Sequence, residues 1–227
     1  MAKKRSKRYI EAEKLVDKKK DYSLKEAVAV LKKMSQTKFN QTVGLSFNLN
    51  VDPKKSDQLV RGTVSLPHGS GKSVRVAVFC KGEEEKSAKA AGADIIGGLE
   101  LIEKVAAGFM DFDAAVATPD IMKDLSRLGK VLGPKGLMPS PKTGTVTVNV
   151  GQAVKDIKGG KIEFKTDKQA GLHVGIGKIN FLESQIVENA SKVIEAIQQA
   201  RPQTVKGVFI KSASIYGSMS PGMRLAL

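Results

Sequence analysis

The middle of the chain contains the sequence SVRVAVFCKGEEEKSAKAAGADIIGGLELIEKVAAGFMDFDAAVA, residues 73–117, whose pattern indicates the fold of this region. It alternates short apolar runs with longer runs in which apolar residues recur at helical spacing. The expected elements are strands at 73–80, 94–96 and 114–117 and helices at 83–91 and 99–107. Because strands that alternate with helices usually lie parallel in one sheet, this stretch predicts a mostly parallel sheet with helices on its faces.

The rest of the middle segment is expected to extend this pattern. Pro119 suits the first turn of a helix that reaches Leu128. The run 145–150 predicts a closing strand, and a short helix is expected to follow from Gln152.

The segments on either side have a different pattern. Residues 42–51 alternate apolar with small polar side chains, which predicts a strand with one dry face and one open face. Ser23 and Glu26 have the spacing of a capping box before a helix. The other expected elements are strands at 161–165, 173–176 and 207–215, a helix at 183–200 and an irregular tail. We expect the two outer segments to fold together as one α+β domain, because neither alone buries its apolar faces.

Flexible stretches at 67–71 and 159–160 divide the chain. The predicted domains are residues 1–67 with 159–227, and an inserted domain at 68–158. The 227 residues carry a formal net charge of +15, of which the three segments in chain order contribute +9, +2 and +4. A polyanionic partner is the simplest cause of this excess, and the outer segments carry most of it.

The composition and motifs give little support for an enzyme. Cys80 ends an apolar strand and is expected to be a buried structural thiol. The two histidines, His68 and His173, are too few for a histidine metal cluster, so no metal or cofactor is expected. Residues 69–73 resemble the end of a phosphate-binding loop, but Leu66 replaces the required first glycine and a strand follows in place of a helix. A nucleotide-using enzyme is the rival hypothesis, and a protein-only scaffold is another.

No segment resembles a targeting signal or a membrane span. The basic residues at 3–8 are not followed by the apolar run of a secretory signal, and nearby acidic residues argue against a transit peptide. The aliphatic stretches are far too short to cross a bilayer. The chain is therefore expected to be cytoplasmic, with no membrane partner.

Two stretches are richer in glycine and lysine than a simple connection between helices and strands requires. Residues 128–147 interleave glycines and prolines with Lys130, Lys135 and Lys142, and a long ordered loop of this kind is often functional. These lysines are candidates for a second RNA contact, with a packed connection as the equal alternative. Residues 161–178 form either an RNA contact or a solvated hairpin. The side chains that cluster about its turn are Lys165, Asp167, Lys168 and His173.

The aromatic content restricts the kind of nucleic acid. The chain has no Trp, and aromatic residues make up only 5% of it. No segment has the aromatic pattern that stacks single-stranded bases, and no zinc-finger spacing or helix-turn-helix motif points to duplex DNA. These observations favour a structured RNA recognised through its shape, backbone and 2′-hydroxyls.

Three long motifs resemble those of one known family. They are RGTVSLPHGSGK at 61–72, LGKVLGPKGLMPSPKTGTVT at 128–147 and GGKIEFKTDKQAGLHVGIGK at 159–178. Together they resemble the first large-subunit ribosomal protein, the L-one family, in its bacterial form, and the resemblance covers nearly the whole chain in order. It implies a Rossmann-like inserted domain joined to the terminal domain by two crossings. The hinge residues expected there are Pro67, Gly69, Gly159 and Gly160.

The same resemblance implies a function on the ribosome. Members of the family bind the rRNA of the mobile stalk beside the tRNA exit site, and that stalk helps to release deacylated tRNA. They also repress translation of their own operon by binding an mRNA element that mimics the rRNA site. The implied partners are large-subunit rRNA, deacylated tRNA and the operon's own mRNA. The chain is expected to be ribosome-associated in the cytoplasm and a monomer off the ribosome.

The resemblance assigns the main RNA surface to the terminal domain. The matching residues here are Lys38, Phe39, Thr42, Asp167, Lys168, His173, Ser218 and Met219, with Lys165 beside them in the same motif. For Phe39 and Met219 the alternative is packing in the core. Ser220 stands where the family usually has Gly, and Gly44 stands where an acidic residue is common, so neither position carries over a family contact.

Overall fold

The structure of the chain is a computed structural model that describes residues 5–34, 37–82 and 84–226. The helices are α1 (Lys7–Lys14), α2 (Leu24–Lys33), α3 (Glu84–Ala90), α4 (Leu99–Ala106), α5 (Met122–Leu125), α6 (Gly129–Leu132), α7 (Val150–Lys158) and α8 (Glu183–Gln199). The strands are β1 (Thr42–Leu49), β2 (Arg61–Ser65), β3 (Val76–Phe79), β4 (Ile95–Gly97), β5 (Ala114–Ala117), β6 (Lys161–Lys165), β7 (Gly171–Lys178), β8 (Ile210–Gly217) and β9 (Met223–Leu225). Short 3-10 turns lie at Ser56–Gln58, Pro119–Ile121, Ser126–Leu128 and Pro141–Thr143.

The chain divides into two compact units. Unit 1 consists of Met1–Gly71 and Ile162–Leu227, and unit 2 consists of Lys72–Lys161. Unit 1 contains 24 Lys and Arg against 12 Asp and Glu, a net charge of +12. Unit 2 contains 14 against 11, a net charge of +3. Most of the charge excess therefore belongs to unit 1.

A four-stranded antiparallel sheet in the order β7-β1-β8-β9 forms the centre of unit 1. Alternate residues of β1, such as Leu45 and Phe47, are buried in one core with apolar side chains of α2 and α8. Because successive side chains of a strand point to opposite faces, the residues between them point away from this core. The sheet thus has one face covered by helices and one face without a helical layer among the described residues.

Local sequence signals explain how the unit 1 helices are held. The Ser23 hydroxyl accepts a hydrogen bond from the Glu26 N–H and caps α2. In α8, the fully buried Asn189 donates from its amide to the carbonyls of Ile176 and Gly69. Asn189 therefore ties the segment that leads out of unit 1 to the long helix.

Unit 2 contains a three-stranded parallel sheet in the order β4-β3-β5. Its central strand is buried on both sides, with Ala77 and Phe79 in one core and Val78 and Cys80 in the other. The first core includes residues of α4 and α5, and the second includes residues of α3 and α7. This arrangement is typical of parallel sheets. The predicted mixed α/β fold, with a parallel sheet and a separate α+β part, is confirmed.

The single cysteine lies at the end of β3. Cys80 is fully buried. Burial raises the pKa of its thiol to about 11, with the nearby Glu85 and Glu84 adding to the effect. A buried thiol that stays protonated is a poor nucleophile, so the prediction of a structural cysteine is confirmed.

The structure corrects several element boundaries. The strand predicted at 145–150 is reduced to one bridge between Ala117 and Val146, because the Asn149 side chain caps α7 and draws Val150 into that helix. The single helix predicted over 119–128 is a series of 3-10 and α-helical turns.

The ends of the chain also hold more regular structure than the sequence pattern indicates. The tail predicted to be irregular contains β9, and α1 has no counterpart in the prediction. The strand predicted at 207–215 is β8, which begins at Ile210 rather than at Gly207. Gly207 has a positive φ of 77°. The first residue of the helix predicted from Glu83 lies outside the described residues, and α3 begins at Glu84.

Candidate nucleic-acid interface

The uncovered side of the unit 1 sheet carries small polar side chains. We define the open face as Thr42, Gly44, Ser46, Asn48, Gly171, His173, Gly175, Lys178, Ser212, Ser214, Tyr216 and Arg224, which share this side by strand register. Ser46 lies opposite His173 on one side and Ser214 on the other, and Ser214 lies opposite Arg224. These four residues form a row across all four strands. None of the residues that define the open face is acidic.

Two cations are held on the open face itself. Lys178 lies opposite Thr42 and donates from Nζ to its Oγ1 at 2.9 Å. Arg224 pairs through Nε with Asp21 Oδ1 at 3.1 Å. The Thr42 bond leaves two of the three Lys178 donors for a partner, which suits an anion such as a phosphate.

Three of the predicted RNA-binding lysines lie just before β1 or on the chain path from the end of β6 to β7. Lys38 precedes β1, Lys165 ends β6, and Lys168 lies in the connection from β6 to β7. All three are exposed, and no ion pair between described residues involves them. Their charges are therefore available to an anionic partner at low energetic cost.

The connection between β6 and β7 is shaped by Asp167. Its carboxylate Oδ1 accepts the N–H groups of Gln169 at 2.8 Å and Gly171 at 2.7 Å. These two backbone hydrogen bonds lower the pKa of Asp167, and the nearby His173 adds a smaller effect. The Asp167 carboxylate thus positions the turn beside Lys168.

The connection between β8 and β9 forms a second shaped loop. The Ser218 N–H donates to the Thr42 carbonyl at 3.0 Å, and the Thr42 N–H donates to Ser218 Oγ at 3.2 Å. Met219 follows with a positive φ of 63°. Ser220 turns its hydroxyl inward, where it accepts the Gly217 N–H at 2.7 Å. The side chain that replaces the family's usual glycine is therefore part of the loop itself.

The two predicted apolar contacts are on the surface. Phe39 is 49% exposed and Met219 is 68% exposed. The alternative that they pack in the core is wrong. Exposed apolar side chains beside a polar face are able to pack on the sugars or bases of a nucleic acid.

The predicted residues fall in two groups that border the same face. Thr42 and Ser218 belong to the first, at one end of β1. His173 belongs to the second and lies opposite Ser46, four positions along the strand from Thr42. At the usual rise of a strand, four positions correspond to about 13 Å.

The candidate residues of unit 2 lie on the loop between β5 and α7. Lys130 is in α6, Lys135 follows that helix, and Lys142 is in a 3-10 turn. All three are exposed, and Lys135 Nζ lies 2.8 Å from the sulfur of Met110. The loop is also anchored inward by Leu132, which is fully buried.

The predicted hinge residues have defined roles in the chain path. Pro67 is exposed, and Gly69 has a φ of 67° while its carbonyl accepts the Asn189 amide at 3.1 Å. Gly159 ends α7, and Gly160 follows with a φ of 104°. The positive φ values explain glycine at 69 and 160, since other residues rarely adopt them.

Other kinds of site receive no support from the described residues. The segment from Gly69 to Ser73 opens no helix, so it lacks the helix N-terminus whose amides meet the phosphate in a phosphate-binding loop. No cluster of three or more metal-binding side chains occurs in the described part of the chain. Among the described helices, none combines the length and apolar character that crossing a bilayer requires.

Sequence reasoning missed Lys178 and Tyr216 as members of this surface. Lys178 ends the third quoted motif, so its position was visible, but its bond to Thr42 depends on the pairing of β1 with β7. Tyr216 lies across from Gly44 on β8. From the sequence, Gly44 differs from the resembled family only in lacking an acidic side chain, and nothing in the sequence shows which side chain covers it.

Comparison with known proteins identifies the kind of protein that carries this surface. The model of the ribosomal protein L1p/L10e family matches residues 31–221. The chain is 53% identical to the large ribosomal subunit protein uL1 of Beutenbergia cavernae over 220 residues, which cover 97% of this chain and 92% of that protein. A match of this extent places the chain among the proteins of the large ribosomal subunit. Within that class, the chain belongs to the ribosomal protein L1p/L10e family, as the three sequence motifs predicted.

Proposed function

We propose that this chain binds the rRNA of the mobile stalk of the large subunit through the open face of unit 1. The observation that carries the proposal is the open face itself, whose defining residues include no acid and which has exposed lysines on the segments next to its strands. The two carboxylates beside it are already bonded, Asp21 to Arg224 and Asp167 to backbone N–H groups. Hydroxyl side chains such as Ser46 suit 2′-hydroxyls, and the lysines suit phosphates. The role is one of binding in the cytoplasmic ribosome, without catalysis, and the chain off the ribosome is a monomer.

The proposal extends to two processes that follow from the same surface. A stalk beside the tRNA exit site assists the release of deacylated tRNA. An mRNA element that mimics the stalk competes for the open face and represses translation of the chain's own operon. Lys130, Lys135 and Lys142 provide a secondary RNA contact. The RNA-binding domain is residues 1–67 with 159–227, and 68–158 is the inserted domain.

Binding to a stalk rRNA fragment over a series of salt concentrations tests the proposal. Each phosphate neutralised changes the slope of log K against log salt by about −0.7 to −0.9. Lys168→Ala should weaken binding by about 1–3 kcal/mol and make the slope shallower by one such step. A complex insensitive to salt would contradict the proposal.

Separate measurements test the extensions. A translational reporter fused to the leader of the chain's operon mRNA should be repressed by the wild-type chain and not by Lys168→Ala. Release of deacylated tRNA should slow on ribosomes that lack the chain. Turnover of a nucleoside triphosphate by the pure chain, abolished by Lys72→Ala, would instead favour the rival hypothesis of an enzyme.

A further inference from the structure

A tyrosine lies over a glycine in the middle of the open face. Gly44 and Tyr216 are direct partners in the pairing of β1 with β8. A Cβ atom built on Gly44 would lie 2.9 Å from both Cζ and the hydroxyl oxygen of Tyr216. The phenol end of the ring therefore occupies the space above Gly44. Gly44 is accordingly buried, although it belongs to a face whose other β1 members are partly or fully exposed.

The close approach of a side chain to a glycine occurs only on the β8 side of this pair of glycines. Gly175 pairs with Gly44 from the opposite strand. A Cβ on Gly175 would meet only Thr42 Cγ2, at an ordinary 3.5 Å. Gly175 is exposed, so the ring covers one glycine of the pair and leaves the other open.

A second ring over a glycine shows what simple packing looks like in this chain. The ring of Phe164 lies over Gly62, with its Cζ 2.7 Å from a built Cβ. Phe164 is 2% exposed and belongs to the unit 1 core. Tyr216 is partly exposed, and its hydroxyl makes no hydrogen bond with any described residue. A ring that only filled the space over a glycine would need neither partial exposure nor a hydroxyl left without a hydrogen bond to a described residue.

Polar groups that suit RNA lie within two residues of the Gly44 and Tyr216 pair or are bonded to such a residue. Thr42 precedes Gly44 by two positions and so lies on the same face. Lys178 is bonded to Thr42, and Ser218, two residues after Tyr216, is bonded to the Thr42 backbone. Aromatic rings contribute to RNA binding by packing on bases and sugars, and a hydroxyl adds a donor and an acceptor.

We infer that Tyr216 is a direct RNA-contact residue, seated in its binding position by the absence of a side chain at Gly44. The ring packs on a base or sugar, and its hydroxyl bonds a 2′-hydroxyl or phosphate oxygen. This inference rests on the proposed function, and it names Tyr216 as a contact that defines how this particular chain reads its RNA.

A double-mutant cycle on the full chain tests the inference with a stalk rRNA fragment as the probe. Tyr216→Ala should weaken binding about 10- to 100-fold, and Tyr216→Phe about 3- to 10-fold. Gly44→Ala should displace the ring and weaken binding in the wild-type background. The same change should have no effect in the Tyr216→Ala background, where no ring remains to be displaced. Thermal melting of each variant checks folding, and Gly151→Ala in α7, outside the open face, is the matched control because its built Cβ meets no atom closer than 3.6 Å.

The outcomes separate the inference from the proposed function. Failure of the wild-type chain to bind the fragment would overturn both. Wild-type binding that is weakened by Lys168→Ala but unchanged in folded Tyr216→Ala and Gly44→Ala would overturn the inference alone. If Tyr216→Ala does not fold, Tyr216→Phe decides. The affinities of Tyr216→Phe and of the wild type are compared on a series of fragments that each carry one 2′-deoxy substitution. Equal affinities for every fragment would contradict a hydroxyl contact.

Discussion

The sheets of the two units differ in how many faces they bury. The parallel sheet of unit 2 is covered on both sides, so every residue of its central strand, such as Phe79 and Val78, is buried. The antiparallel sheet of unit 1 buries one face and leaves the other lined by polar side chains. An antiparallel sheet tolerates this, whereas a parallel sheet rarely does. Unit 1 is therefore able to bind a partner on its strands, whereas the covered sheet faces of unit 2 are not available to one.

Truncating one buried leucine in each unit should give the largest effect, because each change destabilises a single unit. Leu45 of unit 1 and Leu125 of unit 2 are both fully buried. Truncation of either to Ala leaves a cavity and should lower the free energy of unfolding of its own unit by about 2–5 kcal/mol. Calorimetry gives the unfolding temperature of each unit in the two variants. RNA binding is then measured at a temperature at which only the altered unit is unfolded. Binding should be lost for Leu45→Ala and kept for Leu125→Ala.

Removing three positive charges from either unit should show which unit contributes more to the affinity for RNA. Replacement of Lys38, Lys165 and Lys168 by Ala should weaken binding to stalk rRNA by roughly 100-fold or more, because three phosphate contacts are lost. Replacement of the unit 2 lysines 130, 135 and 142 removes the same charge, and should weaken binding by less than about 10-fold. Filter binding at one fixed salt concentration measures both. Equal losses would show that net charge, and not the open face, determines affinity.

The Ser220 hydroxyl should contribute a smaller effect. Ser220→Ala removes the bond to the Gly217 N–H and should cost about 0.5–1.5 kcal/mol of loop stability. Faster hydrogen exchange at Gly217 and an affinity for RNA reduced about threefold are expected. Ser126→Ala is the control, because it breaks a similar hydroxyl-to-backbone bond in unit 2. Exchange at Gly217 that is unchanged by Ser220→Ala would exclude Ser220 from holding the loop.

The Asp167 carboxylate gives the smallest effect, and one that depends on pH. Its pKa in the folded chain lies below the ordinary value of 3.8, because Gln169 and Gly171 donate to it. The stabilisation is therefore present above pH 3.8 and is lost as the pH falls through the folded pKa. An NMR titration of the Gly171 amide should show a transition below pH 3.8 that is absent in Asp167→Asn. A transition above pH 3.8 would mean that the backbone bonds do not stabilise the ionised form.

Much of the fold was predictable because its signals are local. The period-two pattern of 42–51 predicts β1 and its two faces, and Ser23 with Glu26 predicts the start of α2. The strand predicted at 145–150 failed because one capping residue, Asn149, favours a helix there. Local pattern does not show which of two competing signals dominates.

The site was predictable only in part, since it depends on pairing between distant strands. The lysines and Thr42 were found through motifs. The row of Ser46 with its neighbours on β7 and β8 requires the strand order and register. The position of Tyr216 over Gly44 depends on a contact between residues 172 positions apart in the sequence.

Crosslinking of the full chain to a stalk rRNA fragment, with mass spectrometry of the crosslinked peptides, tests whether the RNA lies on the open face of unit 1. The expectation is that crosslinks form at exposed residues of unit 1 on or beside this face, with Phe39, Tyr216 and Met219 the principal sites. Crosslinks confined to residues 72–161 would contradict it, because the RNA would then be bound by unit 2.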